Sequence, residues 1–269
     1  QSHGIKVRID LPGVGRNLQD RYEVSVVNRM AQDWNVLAAA KFDSSDPQYR
    51  EWAADRKGVY ATAGAALVVV KKSQLSRTVP DLFCLGFIGK FKGYFPGYSQ
   101  LISAHHNYLS WVVLKAHTRN NAGTVTLRSS DPRDTPEINF RYFDEGSDTS
   151  GEDLGGVVEG VKFVRQMTGA LKSEKIIAEE ELPGGQVQSD AELRDYVRNN
   201  AWGHHASCTC AIGPKEKGGV LTSDFKVHGT RGLRVVDASV FPRIPGFFIV
   251  SAVYMIGEKA ADAILADSR

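Results

Sequence analysis

The sequence predicts an α+β fold built on a mainly antiparallel sheet. Three observations carry this. Short apolar runs separated by turn-forming residues fill the middle of the chain. Helical periodicity is confined to a few segments and does not alternate regularly with the strands. The last third reads as strand, turn and helix.

The 269 residues suffice for one large domain or two ordinary ones. The composition is 42% hydrophobic and 24% charged, ordinary for a globular protein, and the net charge of +2 offers no footprint for nucleic acid. No apolar run is long enough to span a bilayer as a helix. The chain opens at Gln1 with no secretory pattern in view, so its compartment is not readable from this end.

Taken in order, Lys6 to Ile9 alternates polar and apolar residues as a short edge strand would. Gly13 and Gly15, after Pro12, mark a turn that needs positive φ or close backbone approach. They do not form a dinucleotide fingerprint, because the third glycine and the preceding buried strand are missing. Residues 46–58 predict a helix, with Asp46 as N-cap, Pro47 in the first turn and Gly58 at the stop. Strands are predicted over Ala66 to Val70, Asp81 to Ile88, Ser110 to Ala116, Gly123 to Arg128 and Glu137 to Tyr142. The aromatic, Gly-rich stretch 89–109 has no clear period and reads as an irregular connection or an active-site loop; His105 and His106 within it are given no role. Glu152 to Met167 carries an apolar stripe of Val157, Val158, Val161 and Val164. Ser189 and Glu192 form a capping box that opens a helix to about Asn199. Leu233 to Val236 reads as a buried strand, and a helix carrying Glu258 follows.

The chemistry concentrates at 201–258. His205 stands among small and polar residues, and a neutral imidazole with a pKa near 6.5 is a competent proton acceptor. Cys208 and Cys210 form C-x-C beside the histidines. No second ligand cluster with zinc spacing accompanies them, so no metal is expected and both read as small packing residues.

GLRVVDASVFPRIPG followed by VYMIGEKAADAI resembles the C-terminal signature of the glucose-methanol-choline (GMC) family of flavin oxidoreductases. H-x-x-x-T-C-x-x-G-P at His205, Thr209, Cys210, Gly213 and Pro214 resembles the same family, as does LPGVGRNLQD at Leu11 to Asp20. The resemblance implies an antiparallel, six-stranded substrate domain over 22–195. It also implies the C-terminal part of an FAD-binding α/β domain over 1–21 and 196–269. It implies FAD as cofactor and His205 as the base that takes a hydroxyl proton while hydride passes to flavin N5. His204, Asp237, Ala238, Phe248 and Ile249 would lie along the cofactor, with Asn200 and Trp202 toward the substrate, a small-molecule alcohol or a related compound. The residues alone also allow Asp237 to be a simple turn cap and Trp202 a packing anchor.

Three positions depart from the pattern. The usual second catalytic residue, His or Asn, falls on Phe248, so that either His205 works alone, or a group such as Asn200 assists, or the chemistry is a non-redox, lyase-type one; a non-catalytic remnant is a separate reading, against which the retained His205 argues. The glycine-rich β-α-β unit that precedes LPGVGRN in the family is not in the chain. The expectation is therefore a C-terminal piece that needs an N-terminal FAD-binding portion as its partner. Arg21 stands where the family commonly has His.

Overall fold

The structure is a computed structural model and describes residues 3–267. In chain order these residues form β1 (Tyr22–Met30), α1 (Pro47–Asp55), β2 (Ala65–Lys71), β3 (Leu82–Phe87), α2 (Tyr98–Ser103) and β4 (Tyr108–Lys115). They continue with β5 (Thr124–Thr126), β6 (Glu137–Asn139), α3 (Glu152–Ser173), β7 (Ile177–Leu182), α4 (Asp190–Asn200) and α5 (Val250–Asp267). The chain divides into two compact units: a sheet unit of 22–116 and 154–202, and a terminal unit of 1–21, 117–153 and 203–269. Residues 117–153, which the sequence reading puts in the middle portion, thus cluster with the two ends of the chain.

The sheet unit holds a five-stranded sheet in the order β2-β3-β4-β1-β7, and every neighbouring pair is antiparallel. The α+β, antiparallel expectation is met; the strand count of six is not, since β5 and β6 pair separately in the terminal unit. The interior strand β1 is not visible in the sequence. Glu23, Ser25 and Asn28 interrupt its apolar pattern, yet all three are buried. The Asn28 amide donates to the Leu109 carbonyl at 3.4 Å and the Tyr196 hydroxyl donates to the Ser25 backbone carbonyl at 2.6 Å, while Ser25 Oγ and Asn28 Oδ1 have no hydrogen-bond partner among the described residues. Strand β7 was hidden by its run of glutamates. Glu180 is buried there and accepts from Arg165 and Lys172 of α3, each at 2.5 Å.

Helix α3 covers the sheet with the predicted stripe, Val157, Val158, Val161 and Val164, all within 2% of full burial. Gly160 lets it approach, since a Cβ there would strike Val113 of β4. Helix α4 carries the predicted capping box in full: Ser189 accepts from the Glu192 N–H, and the Glu192 carboxylate accepts from the Ser189 N–H. Helix α1 begins after Asp46 as expected but ends at Arg56, in a left-handed conformation, before Gly58 is reached.

Two predicted strands are absent. Lys6 to Ile9 has no strand pairing, and Leu233 to Val236 forms only a single bridge, Lys226 with Arg234. Leu233 is 52% exposed and Val236 39% exposed, so the apolar character that suggests burial has no cover among the described residues.

The core of the terminal unit gathers Cys208, Leu221, Phe225, Val240, Phe241 and Ile256. Helix α5 contributes Ile256 and Ala260 to it, and leaves Val250, Tyr254, Met255 and Leu265 exposed. No described helix is long and apolar enough to cross a membrane.

Candidate active site

Within the terminal unit, the segment Leu11 to Asp20 laces together two stretches far apart in sequence. Gln19 exchanges both backbone hydrogen bonds with Ser207, at 3.0 and 3.1 Å, and Gly15 donates to the Thr209 carbonyl at 2.9 Å. On its other side the same stretch pairs with 238–240: Cys208 donates to Ala238 at 3.1 Å, Cys210 to Ser239 at 2.9 Å and Ile212 to Val240 at 2.9 Å. Asn17, at φ 62, reaches across with its side-chain amide to the carbonyls of Cys208 at 3.3 Å and Pro242 at 3.2 Å. The turn that makes this possible uses both predicted glycines. Gly15 has φ 74, and a Cβ on Gly13 would collide with the Gly218 carbonyl.

His205 emerges from this lacing 6% exposed. Its backbone N–H donates to Asp20 Oδ1 at 2.8 Å, and the Arg21 N–H donates to the same oxygen at 2.8 Å. The other Asp20 oxygen accepts from the Tyr142 hydroxyl at 3.2 Å. A Cβ on Gly203 would collide with Asp20, so a larger residue there would displace the carboxylate. Burial raises the Asp20 pKa against the pull of these donors. Burial also holds the His205 imidazole below its ordinary value of 6.5; Asp20 opposes that shift and Arg21 adds to it. The ring is therefore neutral at neutral pH and fit to accept a proton.

The Phe248 ring stands edge-on to His205, with centroids 5.5 Å apart and planes at 67°. The loop before it is gripped by Arg21, which is completely buried. Arg21 Nη2 donates to the Pro245 carbonyl at 2.6 Å and to the Gly246 carbonyl, and Nε donates to Phe247 at 3.3 Å. Arg21 Nη1 has no hydrogen-bond partner, and burial, opposed by Asp20, pushes the guanidinium pKa down to about 10. Arg21, expected from the sequence to depart from the family pattern, thus holds the residue next to Phe248, the other such position. Neither Asp20 nor Tyr142 was singled out from the sequence. Asp20 closes the LPGVGRNLQD segment, and that position gains meaning only once His205 is brought across.

The other expected site residues fall as follows. The His204 ring lies against that of His205, centroids 4.0 Å apart, and is exposed. Asp237 accepts from the Ser239 N–H at 2.7 Å and so caps a short 3-10 turn, Ala238–Val240. The Ala238 carbonyl is one of the links to the histidine stretch. Ile249 packs against the core and starts α5, accepting from Val253 at 2.8 Å. Asn200 and Trp202 belong to the sheet unit. Asn200 is exposed at the end of α4 and donates to the Tyr196 carbonyl at 2.8 Å. Trp202 pairs its backbone with Glu23 and sets its ring against Phe91 and Tyr94, at 5.6 and 5.5 Å. Burial pushes the Cys208 thiol up to about 11 and raises that of Cys210.

A family model described as GMC oxidoreductase matches residues 119–257. The chain is 30% identical to the chloroplastic fatty acid photodecarboxylase of Chlamydomonas reinhardtii, over 97% of this chain and 44% of that protein. It is also 30% identical to the oxygen-dependent choline dehydrogenase of Brucella anthropi, over 98% of this chain and 47% of that protein. Among solved structures, a formate oxidase has the same fold at a TM-score of 0.77 and 24% identity, covering 99% of this chain and 49% of that one. The chain spans about half the length of the relatives it matches.

Proposed function

Because the chain belongs to the GMC oxidoreductase family, whose cofactor is FAD, we propose that it forms the C-terminal part of an FAD-dependent oxidoreductase acting on a CH–OH group. His205 is the base. The supporting observation is the set imidazole: buried, kept neutral, pinned through its backbone by Asp20 and faced by Phe248.

The residues present fit a flavin. A planar ring system needs an apolar neighbour and a base beside it. The Phe248 ring is 39% exposed next to the buried imidazole, and His204 is exposed beside it. When bound, FAD supplies the hydride acceptor at N5. His204, Asp237, Ala238, Phe248 and Ile249 would hold it. The protein's own work is to orient the hydroxyl, to take its proton on the imidazole and to keep water away with Phe248.

An N-terminal FAD-binding portion completes the site. Relatives of about twice the length support this, as do the uncovered apolar residues Leu233, Val236 and Tyr254. The test is His205→Ala in the holoenzyme carrying both portions. Turnover of an alcohol should fall by roughly 10²–10⁴-fold with flavin absorbance retained. Unchanged turnover would leave a non-catalytic remnant.

Phe248 favours one other reading, a non-redox activity on the same scaffold, because a phenyl ring offers no strong hydrogen bond to an alcohol oxygen. A relative named as a decarboxylase is consistent with such a change of chemistry. Anaerobic mixing with a panel of alcohols separates the two: bleaching of the flavin supports oxidation, and its persistence with every alcohol supports the alternative.

A further inference from the structure

The sheet unit contains a cavity of about 690 Å³, within the range of small-molecule sites. Leu85 of β3 and Val112 of β4 line it from the sheet, and Leu37 and Val59 line it from the connections before β2. Phe42, Asp43, Tyr49 and Tyr60 line it as well, and a further part of the wall comes from the aromatic stretch 89–109, which has no clear sequence period. Phe91, Tyr94, Tyr98 and Ile102 from that stretch all line the cavity. Their rings are fixed by edge contacts, Phe91 to Tyr94 at 5.2 Å and Tyr94 to Tyr98 at 5.2 Å, and Trp202 braces Phe91 and Tyr94.

We propose that this cavity binds an uncharged ligand with a hydrocarbon body, a medium- to long-chain alcohol. The apolar body follows from the cavity itself; the alcohol head group alone rests on the redox reading above. No lysine, arginine or histidine is among the lining residues, so a carboxylate would lose its water with no cation in return. Aromatic faces attract cations, which makes a quaternary ammonium the competing occupant. The nearby carboxylates are already engaged. Asp46, behind the wall, accepts from the Lys41 and Phe42 N–H groups at 2.9 and 2.7 Å and from the Tyr60 hydroxyl, and Asp43 accepts from the N–H and hydroxyl of Ser45 at 2.7 and 2.5 Å. Asp46 lies buried under its neutral donors, and Asp43, although it lines the cavity, is exposed, so water screens its charge. The aromatic interior itself offers a cation no carboxylate, and a neutral chain needs none.

Three ligands with the same body and different heads test this: 1-decanol below its solubility limit, and decanoate and decyltrimethylammonium each below its micelle concentration. Binding is measured by calorimetry to the His205→Ala holoenzyme, so that turnover does not intrude. Decanol should bind at least about tenfold more tightly than either ion. Ile102→Trp, filling the cavity from inside, and Thr62→Trp, at its exposed rim, should each weaken decanol by about tenfold or more. Thr62→Trp carries the test if the buried substitution fails to fold. Equal or tighter binding of decanoate or of decyltrimethylammonium overturns the proposal, as does decanol affinity unchanged by the rim variant. Decanol that binds but is not oxidised by the parent holoenzyme leaves the cavity standing and counts against the redox reading instead.

Discussion

At position 205 the imidazole has to be neutral to act as a base, and its folded pKa lies below 6.5 because burial outweighs the nearby Asp20 carboxylate. The alcohol-oxidation rate, kcat/KM, is therefore predicted to be flat above pH 6.5 and to fall only as pH drops through the lower, folded value. A limb centred at or above 6.5 would contradict this. Stability carries the same sign. Below 6.5 the unfolded chain takes up the proton first, so acidification down to the folded pKa costs stability, and above 6.5 the histidine contributes no pH dependence. Arg21 acts at the same scale. A lysine cannot reproduce a planar fork shared among the Pro245, Gly246 and Phe247 carbonyls. Arg21→Lys is predicted to destabilise the protein by about 3 kcal/mol in chemical denaturation. It should also shift the visible spectrum of bound flavin, because the released loop carries Phe248. A purely structural arginine would change the first measurement and leave the second unmoved.

Among the elements, those with strong local signals were legible. The α4 capping box is present to the atom, and Ser189→Ala is predicted to cost about 1 kcal/mol by denaturant titration. The valine stripe of α3 and the apolar runs of β2, β3 and β4 also stand where periodicity puts them. Strands β1 and β7 were not legible, because polar residues on them are buried: Asn28 against the Leu109 carbonyl, 81 positions away, and Glu180 against Arg165 and Lys172 of the preceding helix. The expected strand at Leu233 to Val236 has the right composition, but its pairing stops at a single bridge with Lys226, too short to make a strand. A strand is a property of two chains of backbone, and composition supplies only one of them.

For the molecule as a whole, the exposed apolar residues of α5 matter most. Val250 is 60% exposed, Tyr254 75% and Met255 63%, more apolar surface than one helix ordinarily shows to water. The chain prepared without an N-terminal portion is predicted to bind a hydrophobic dye and to lose that binding when the portion is added. Tyr254→Lys should weaken the assembly by about tenfold or more, read by sedimentation or size-exclusion titration. An assembly as tight as the parent's would show that this face is not the contact.

The sequence by itself determined the family, the α+β class and the two glycines of the Leu11 to Asp20 turn, because each rests on local spacing or on a residue type that one backbone conformation requires. The tertiary structure decided the rest. It brought Asp20 and Arg21 to the histidine and the Phe248 loop, which are 185 and more than 220 positions away along the chain, and it closed an aromatic stretch without period into a cavity wall. Both depend on which distant backbone groups are left to be paired, and hydrogen-bond satisfaction in a buried site is a condition on the whole fold that no window of residues contains.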